Sequence, residues 1–228
     1  MSNGTEYDQQ LRSAMAELAN NFPLGGVEVE GTLATVTTAA VELIRGIDYA
    51  DVLLVEEDRF DSMAPTDPVA KELDTVQRRL QQGPCLQAAL VEPLIRCTDL
   101  RSEPRWPEFA SAATKFGIYS MLSFRLYTYR GGAGALNLLG RAPRAFSQEA
   151  EAVGAMLATH AALALVAANT QHQFASALAS RDHIGQAKGI LMERFKIDAV
   201  RAFELLAKLS QDTNTPIRDL AERVIRAR

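Results

Sequence analysis

The sequence predicts an α+β protein: a domain built on an antiparallel sheet, joined by one long helix to a small three-helix bundle. Three observations predict it. Short apolar runs of strand length stand next to one another in the first two thirds of the chain, interleaved with amphipathic spans. That order suits an antiparallel sheet with helices packed on it, not an alternating parallel fold. From Ser147 onward helical patterning dominates. Charge divides the chain in the same region. Residues 176–228 carry ten Lys+Arg against seven Asp+Glu, a net +3, and the rest carries fourteen against twenty-one, a net −7. A basic piece behind an acidic one suggests two modules and an anionic partner for the second.

The remaining bounds are broad. At 228 residues, 47% hydrophobic and 23% charged, the composition is that of a globular chain able to bury a core. No window approaches ~18 uninterrupted apolar residues, so no membrane span is expected. The start, MSNGTEYDQQ, lacks the basic-then-apolar layout of a signal peptide. Two cysteines, Cys85 and Cys97, make no disulfide framework; each is expected as a small buried hydrophobe, and a cytoplasmic location fits. GxGxxG, P-loop and HExxH motifs are absent from the sequence.

The elements follow in order. Leu11, Met15 and Leu18 give Tyr7–Asn20 the spacing of a short amphipathic helix, broken by Pro23, Gly25 and Gly26. A second helix spans 28–46, with Leu33, Val36, Ala40, Leu43 and Ile44 on its apolar face and Gly46 as its C-cap. YADVLLVEED reads as a strand, and RFDSMAPTD as its hairpin return, ended by Pro65 and Pro68. VAKELDTVQRRLQQ and GPCLQAALVE read as helices, PLIRCTDL as a strand, and WPEFASAATKFG as a helix closed by Gly117. IYSMLSFRLYTYRGGAGALNLLGR reads as two strands joined around Gly131–Gly132. The carboxylates Asp48, Asp51, Glu56 and Glu57 read as belonging to an edge or a turn.

The pattern Q-x-G-P-C-x-x-A at Gln81–Ala88, then PLIRCTDL, SFRL and GALNLLG, resembles a GAF domain over roughly 27–168. The resemblance implies a central antiparallel sheet backed by helices. It implies a sensory or dimerisation role, with a small ligand whose identity and residues stay open.

Ser147 reads as the N-cap of the last helix of that domain, with Glu149 and Glu151 in its first turn. Beyond it the only breakers before Phe195 are Gly154, Gly185 and Gly189. Met156, His160, Leu163, Ala167, Thr170, Phe174, Ala177, Arg181, Ile184, Lys188, Leu191 and Phe195 alternate four and three apart, the spacing of a coiled-coil seam. Thr170, Arg181 and Lys188 make it impure. A homodimer through the 147–195 helix is expected; the alternative is two helices jointed at 169–173.

Asp198 is read as the N-cap of a helix with Val200, Phe203, Leu206 and Leu209 on one face. Thr215 is read as the next N-cap, with Pro216 at the first helical position and Ile217, Leu220, Ala221, Val224 and Ile225 on the apolar side. The string S-R-x-x-I-G-Q-A-K-G-I-L-M-E-R, then A-F-E-L-L, then S-x-x-x-N-x-x-I-R-D-L-A, closely resembles the ANTAR domain, the transcription antitermination regulator domain named for AmiR and NasR, over about 176–226. The resemblance implies binding of a tandem stem-loop in nascent RNA, which prevents formation of a terminator hairpin. The domains are thus placed at 1–26, 27–168 and 169–228.

Residue chemistry agrees with an RNA partner. Arg181, Lys188, Arg194, Arg201 and Arg218 can reach phosphates, and Gln186, Ser210 and Asn214 can read base edges. Gly189 costs about 1 kcal/mol against alanine in a helix interior. Either helix packing or RNA approach would explain it. Leu191, Met192 and Phe195 are expected in the core. No cofactor or enzymatic function is expected: His160, His172 and His183 stand beside no nucleophile, and their spacings of 12 and 11 are not those of metal ligands. A DNA reader is the rival, because QDTNTP can serve as the turn of a helix-turn-helix.

Overall fold

The computed structural model describes Ala16, residues 29–56, 59–127 and 132–227. The helix expected at Tyr7–Asn20 lies, Ala16 apart, outside the described residues, as do the tip at 128–131 and Glu57. Contacts divide the chain into two compact units, one ending at Asn169 and one starting at Thr170.

The first unit contains helix α1 (Val29–Leu43), strands β1 (Tyr49–Glu56) and β2 (Arg59–Met63), and helices α2 (Pro68–Leu80) and α3 (Pro84–Leu90). Strand β3 (Leu94–Cys97), helix α4 (Pro107–Lys115) and strands β4 (Ser120–Tyr127) and β5 (Ala133–Gly140) follow. The five strands form one antiparallel sheet in the order β2-β1-β5-β4-β3. The expected fold class and the hairpins are therefore present.

Alternation along each strand sends side chains to two separate cores. Val52, Leu122, Phe124, Leu136 and Leu138 pack under α1 and the start of helix α5 (Gln148–Phe195). Leu53, Val55, Met121, Ala135 and Leu139 pack under α2, α3 and α4. Both faces of the sheet are covered, so most strand residues are buried.

Three turn positions show why the quoted motif has its composition. Gln81 closes α2 in the left-handed region at φ 53°. Gly83 follows at φ +141°, with the Gln77 side chain where a Cβ would stand. Pro84 starts α3, and the Cys85 N–H donates to Gln77 Oε1 at 2.9 Å. Burial pushes the Cys85 thiol upward, and the Cys97 thiol up to about 12, so both match the expected inert buried cysteine.

Helix α5 is one unbroken 48-residue helix, not two jointed helices. Ser147 Oγ accepts from the Ala150 N–H at 3.1 Å, as its N-cap role requires. An 18-residue window of α5 reaches a mean hydropathy of 1.6, enough by length and composition to cross a membrane, which the sequence reading did not anticipate. Val153, Leu157, Ala158, Ala161 and Ala164, all in α5, are buried within the first unit. Gly154 also has a packing reason: a Cβ there would lie 2.7 Å from two ring atoms of Phe124.

The carboxylate cluster divides. Asp48 is an exposed turn residue that accepts from the Arg141 N–H at 2.6 Å. Asp51 is not at an edge. Strand β1 lies between β2 and β5, and Asp51 is 1% exposed in the core beneath α2.

Candidate nucleic-acid interface

The second unit is built from the C-terminal part of α5, α6 (Ala199–Thr213) and α7 (Ile217–Arg226). Its core is small. Ala187, Leu206, Leu220 and Ala221 are buried, with Ile184, Leu191, Ile217, Val224 and Ile225 packed partly against them. Ile184 and Leu191, expected in a seam between copies, are thus drawn into the bundle of their own chain.

The connections explain the local sequence. Lys196 ends α5 in the left-handed region at φ 53°, and Asp198 caps α6 by accepting from the Arg201 N–H at 2.8 Å. Asn214 closes α6 at φ 47°. Thr215 does not cap α7. Its hydroxyl donates to the Thr213 carbonyl, and Pro216 occupies the cap position just ahead of Ile217. The Pro216 carbonyl accepts from Asp219 N–H at 2.9 Å and Leu220 N–H at 3.2 Å, so the ring sits where no donor is required.

Two packing expectations are corrected. Of Val200, Phe203, Leu206 and Leu209, only Leu206 is buried; Ala202 supplies the other inward position of α6, and Val200 is 66% exposed. Residues three apart step about −60° around a helix, so four of them turn through half a circle and cannot share one face. Phe195, expected in the core, is 58% exposed. It borders an apolar groove of about 300 Å³ with Leu191, Leu205, Leu209 and Val224, rimmed by Lys208 and Asp212.

The candidate RNA contacts take distinct positions. On α5, Arg181 is exposed and Lys188 half-exposed. Seven residues apart, they lie about 20° apart around the axis and two turns along it. Gln186 and Gly189 are exposed on the outward side. Arg194 is exposed but stands about 120° around the helix from Lys188, so the structure does not gather all five onto one face. Among the described residues Arg181, Lys188 and Arg194 make no ion pair. Arg201 is held by Glu204 at 2.9 Å and Arg218 by Asp219 at 3.2 Å. Ser210 is turned inward: its hydroxyl donates to the Thr215 carbonyl at 2.7 Å and braces the α6–α7 turn. Asn214 is exposed.

Gly189 has no packing reason within its unit. A Cβ at Gly185 or at Gly189 would meet nothing within 4 Å among the described residues, in contrast to Gly154 on the same helix. The two glycines are four residues apart, hence on one outward face. Their openness, visible only with the bundle assembled, is a signal the sequence could not supply.

His183 is half-buried and the His172 side chain lies outside the described residues. Among the described residues no three His, Cys, Asp or Glu side chains are gathered to hold a metal ion.

Comparison with known proteins agrees with this division. A family model described as GAF domain matches residues 26–166, and one described as ANTAR domain matches residues 172–225. No curated protein matches the sequence. Among solved structures, the chain is similar to free methionine-R-sulfoxide reductase from Neisseria meningitidis in complex with its substrate. The identity is 14%, over 75% of this chain and 95% of that one, with a TM-score of 0.53. It is similar to fRMsr of Staphylococcus aureus at 10% identity, over 70% of this chain and 95% of that one, with a TM-score of 0.52. A domain of a putative two-component sensor histidine kinase protein from Sinorhizobium meliloti is similar at 15% identity, over 66% of this chain and 99% of that one, with a TM-score of 0.52. At these identities the likeness establishes the fold alone. The domain pair is that of a regulator and not of an enzyme, with a sensory domain ahead of an RNA-binding antitermination domain; the chain belongs to the GAF–ANTAR regulators.

Proposed function

We propose that this protein is a cytoplasmic regulator whose ANTAR bundle binds a tandem stem-loop in nascent mRNA and prevents a terminator hairpin from forming, under control of a signal at the GAF domain. One observation carries the reading most directly: the outward side of α5 in the second unit, where open Gly185 and Gly189 lie beside Arg181 and Lys188, neither held by an acid. Two cations spaced along a helix can follow one strand of a phosphate backbone, and a glycine surface lets a sugar or base come close. Gln186 lies next to this surface on α5, and Arg194, Asn214 and Arg218 are proposed as further contacts outside it. Ser210 is assigned to bracing the α6–α7 turn.

The active species is proposed to be a homodimer through the 147–195 helix. Large apolar side chains on that helix are exposed within each unit: Met156, Leu163 and Val166 in the first, and Phe174 and Leu178, 75% and 53% exposed, in the second. Exposed apolar residues repeating along a helix are the mark of a partner surface. Control by the GAF domain is supported by α5, whose start packs in the core of the first unit and whose C-terminal part packs in the core of the second. A ligand or partner that favours one arrangement of that helix shifts RNA affinity.

Competition at two salt concentrations tests the reading, with a labelled tandem stem-loop RNA against unlabelled RNA and duplex DNA of the same sequence. Preference for the RNA, falling with salt, is expected. Equal competition by duplex DNA would instead favour the helix-turn-helix reading, for which the three-residue connection Asn214–Pro216 is short enough.

A further inference from the structure

In the interior of the GAF domain, polar side chains from three adjacent strands and one helix meet with no cation among the described residues. The strand register sets Asp51 of β1 opposite Asn137 of β5, and Asn137 opposite Ser123 of β4. Alternation turns all three to the face covered by α2 and α3. Asp74 and Gln77 reach the same place from α2. Asp51, Asp74, Gln77, Ser123 and Asn137 are each 5% exposed or less.

The donors and acceptors do not balance. The Asn137 amide donates to Asp51 Oδ2 at 3.2 Å, which leaves Asn137 Oδ1 without a partner. The Gln77 amide is 3.5 Å from Asp74 Oδ1, and Asp74 Oδ2 and the nearby Ser62 hydroxyl are both buried without a hydrogen bond of ordinary geometry. Gln77 Oε1 is already committed to the Cys85 N–H. The other groups facing the pair are the Ser62 hydroxyl from β2, the Ser123 hydroxyl from β4 and the Cys85 thiol from α3. Among the described residues no Lys, Arg or His pairs with either carboxyl.

Two ionised carboxylates cannot stay together in such a place. Each charge loses its water, and the two repel. One proton between them removes a charge and supplies the missing donor. We propose that Asp51 and Asp74 form a buried proton-binding site in the sensor domain: Asp51 keeps its proton at neutral pH and donates it to Asp74, and release of that proton to alkaline solvent loosens α2 from the sheet. The side chains are placed for this, since Asp74 and Gln77 are buried about one turn apart on α2 and Gln77 also holds the start of α3.

Burial of Asp51, then the charge of Asp74, holds the Asp51 carboxyl well above the ordinary range. Asp74 is raised by its own burial and accepts the Asp51 hydrogen bond. The direction of the pH effect follows. The folded chain keeps a proton that the unfolded chain releases near the ordinary carboxyl value of ~3.9. The stabilisation is therefore complete below that value and is lost as pH rises through the folded-state titration. This is the reverse of a salt-bridged aspartate.

The test uses the full chain in two measurements. Infrared spectroscopy of the wild type at neutral pH should show the carbonyl stretch of a protonated, buried carboxyl, absent from Asp51→Asn. Thermal unfolding across mildly acidic to alkaline pH should show the wild type losing ground steadily to Asp51→Asn. The ratio of their unfolding constants should grow by up to about tenfold per pH unit, the limit for one proton. Asp74→Asn supplies a second comparison where Asp51→Asn fails to fold, and the wild-type spectrum decides independently of both. A wild type with no protonated-carboxyl band at neutral pH, or melting curves that run parallel with pH, would overturn the proposal.

Discussion

Three glycines interrupt α5, and the same substitution is expected to act with opposite signs among them. Alanine at Gly185 or Gly189 gains helix propensity, about 0.5–1 kcal/mol each, and its methyl meets nothing within 4 Å. If the second unit melts by itself, each such gain raises its midpoint by roughly 4–8 °C per kcal/mol, the scale for a domain of its size. Alanine at Gly154 gains the same propensity but sets a methyl 2.7 Å from the Phe124 ring and 3.1 Å from Leu138 Cδ1. The ring is 4% exposed and enclosed on the sheet. Overpacking of this kind costs about 1–3 kcal/mol, so a net loss of about 1 kcal/mol is expected. Calorimetry of the three variants measures both effects, and RNA titration of the same samples measures the second half of the argument. Gly189→Ala should bind stem-loop RNA more weakly while melting higher, because the methyl occupies the surface that RNA approaches. A Gly189→Ala protein that melts lower would show a packing role after all. One that melts higher and binds RNA unchanged, with Gly189→Leu behaving alike, would remove the glycine face from the interface.

Lys188→Ala and Arg181→Ala should each weaken RNA binding by roughly 1–2 kcal/mol and reduce the salt slope by somewhat under one unit, read by titration at two salt concentrations. Arg218→Ala should do less, because Asp219 already engages that guanidinium. Leu206→Ala should destabilise the second unit by about 2–5 kcal/mol in thermal unfolding, and Leu191→Ala by less, since Leu206 is 1% exposed and Leu191 only half-buried. Phe174→Asp with Leu178→Asp should shift sedimentation toward monomer without lowering the melting temperature of either unit; an unchanged dimer would place the interface elsewhere.

Four strands were legible because they are short apolar runs, and β2, which is not one, was legible as the hairpin return ahead of Pro65. The bundle was legible as three helices but less so in its faces. On α6, apolar residues at 200, 203, 206 and 209 look like one stripe on paper and wind half-way around the helix in space, so three of the four are exposed. Asp51 was misplaced for a different reason. Carboxylates near both ends of β1 suggested an edge, and only the pairing of β1 with β2 on one side and β5 on the other reveals an inner strand. A sequence states which residues alternate; it does not state strand order.

The seam on α5 has a similar ambiguity, with a consequence for assembly. Spacing of three and four marks a helix face that packs on something, whether a second copy or later helices of the same chain. In the second unit, α6 and α7 take Ile184 and Leu191. Lys188 lies between them in sequence and stays half-exposed, and the face that remains outward beyond Leu178 carries Arg181, Gly185 and Gly189 before half-buried Met192. In the proposed dimer a second copy finds apolar anchors at Phe174 and Leu178 and upstream of Asn169. In that proposal dimerisation and RNA binding draw chiefly on different stretches of one helix. Aspartates at 174 and 178 should separate the two, abolishing the dimer while each isolated bundle keeps its affinity for a single stem-loop. Loss of single stem-loop affinity in a folded monomer would show instead that the two stretches form one surface.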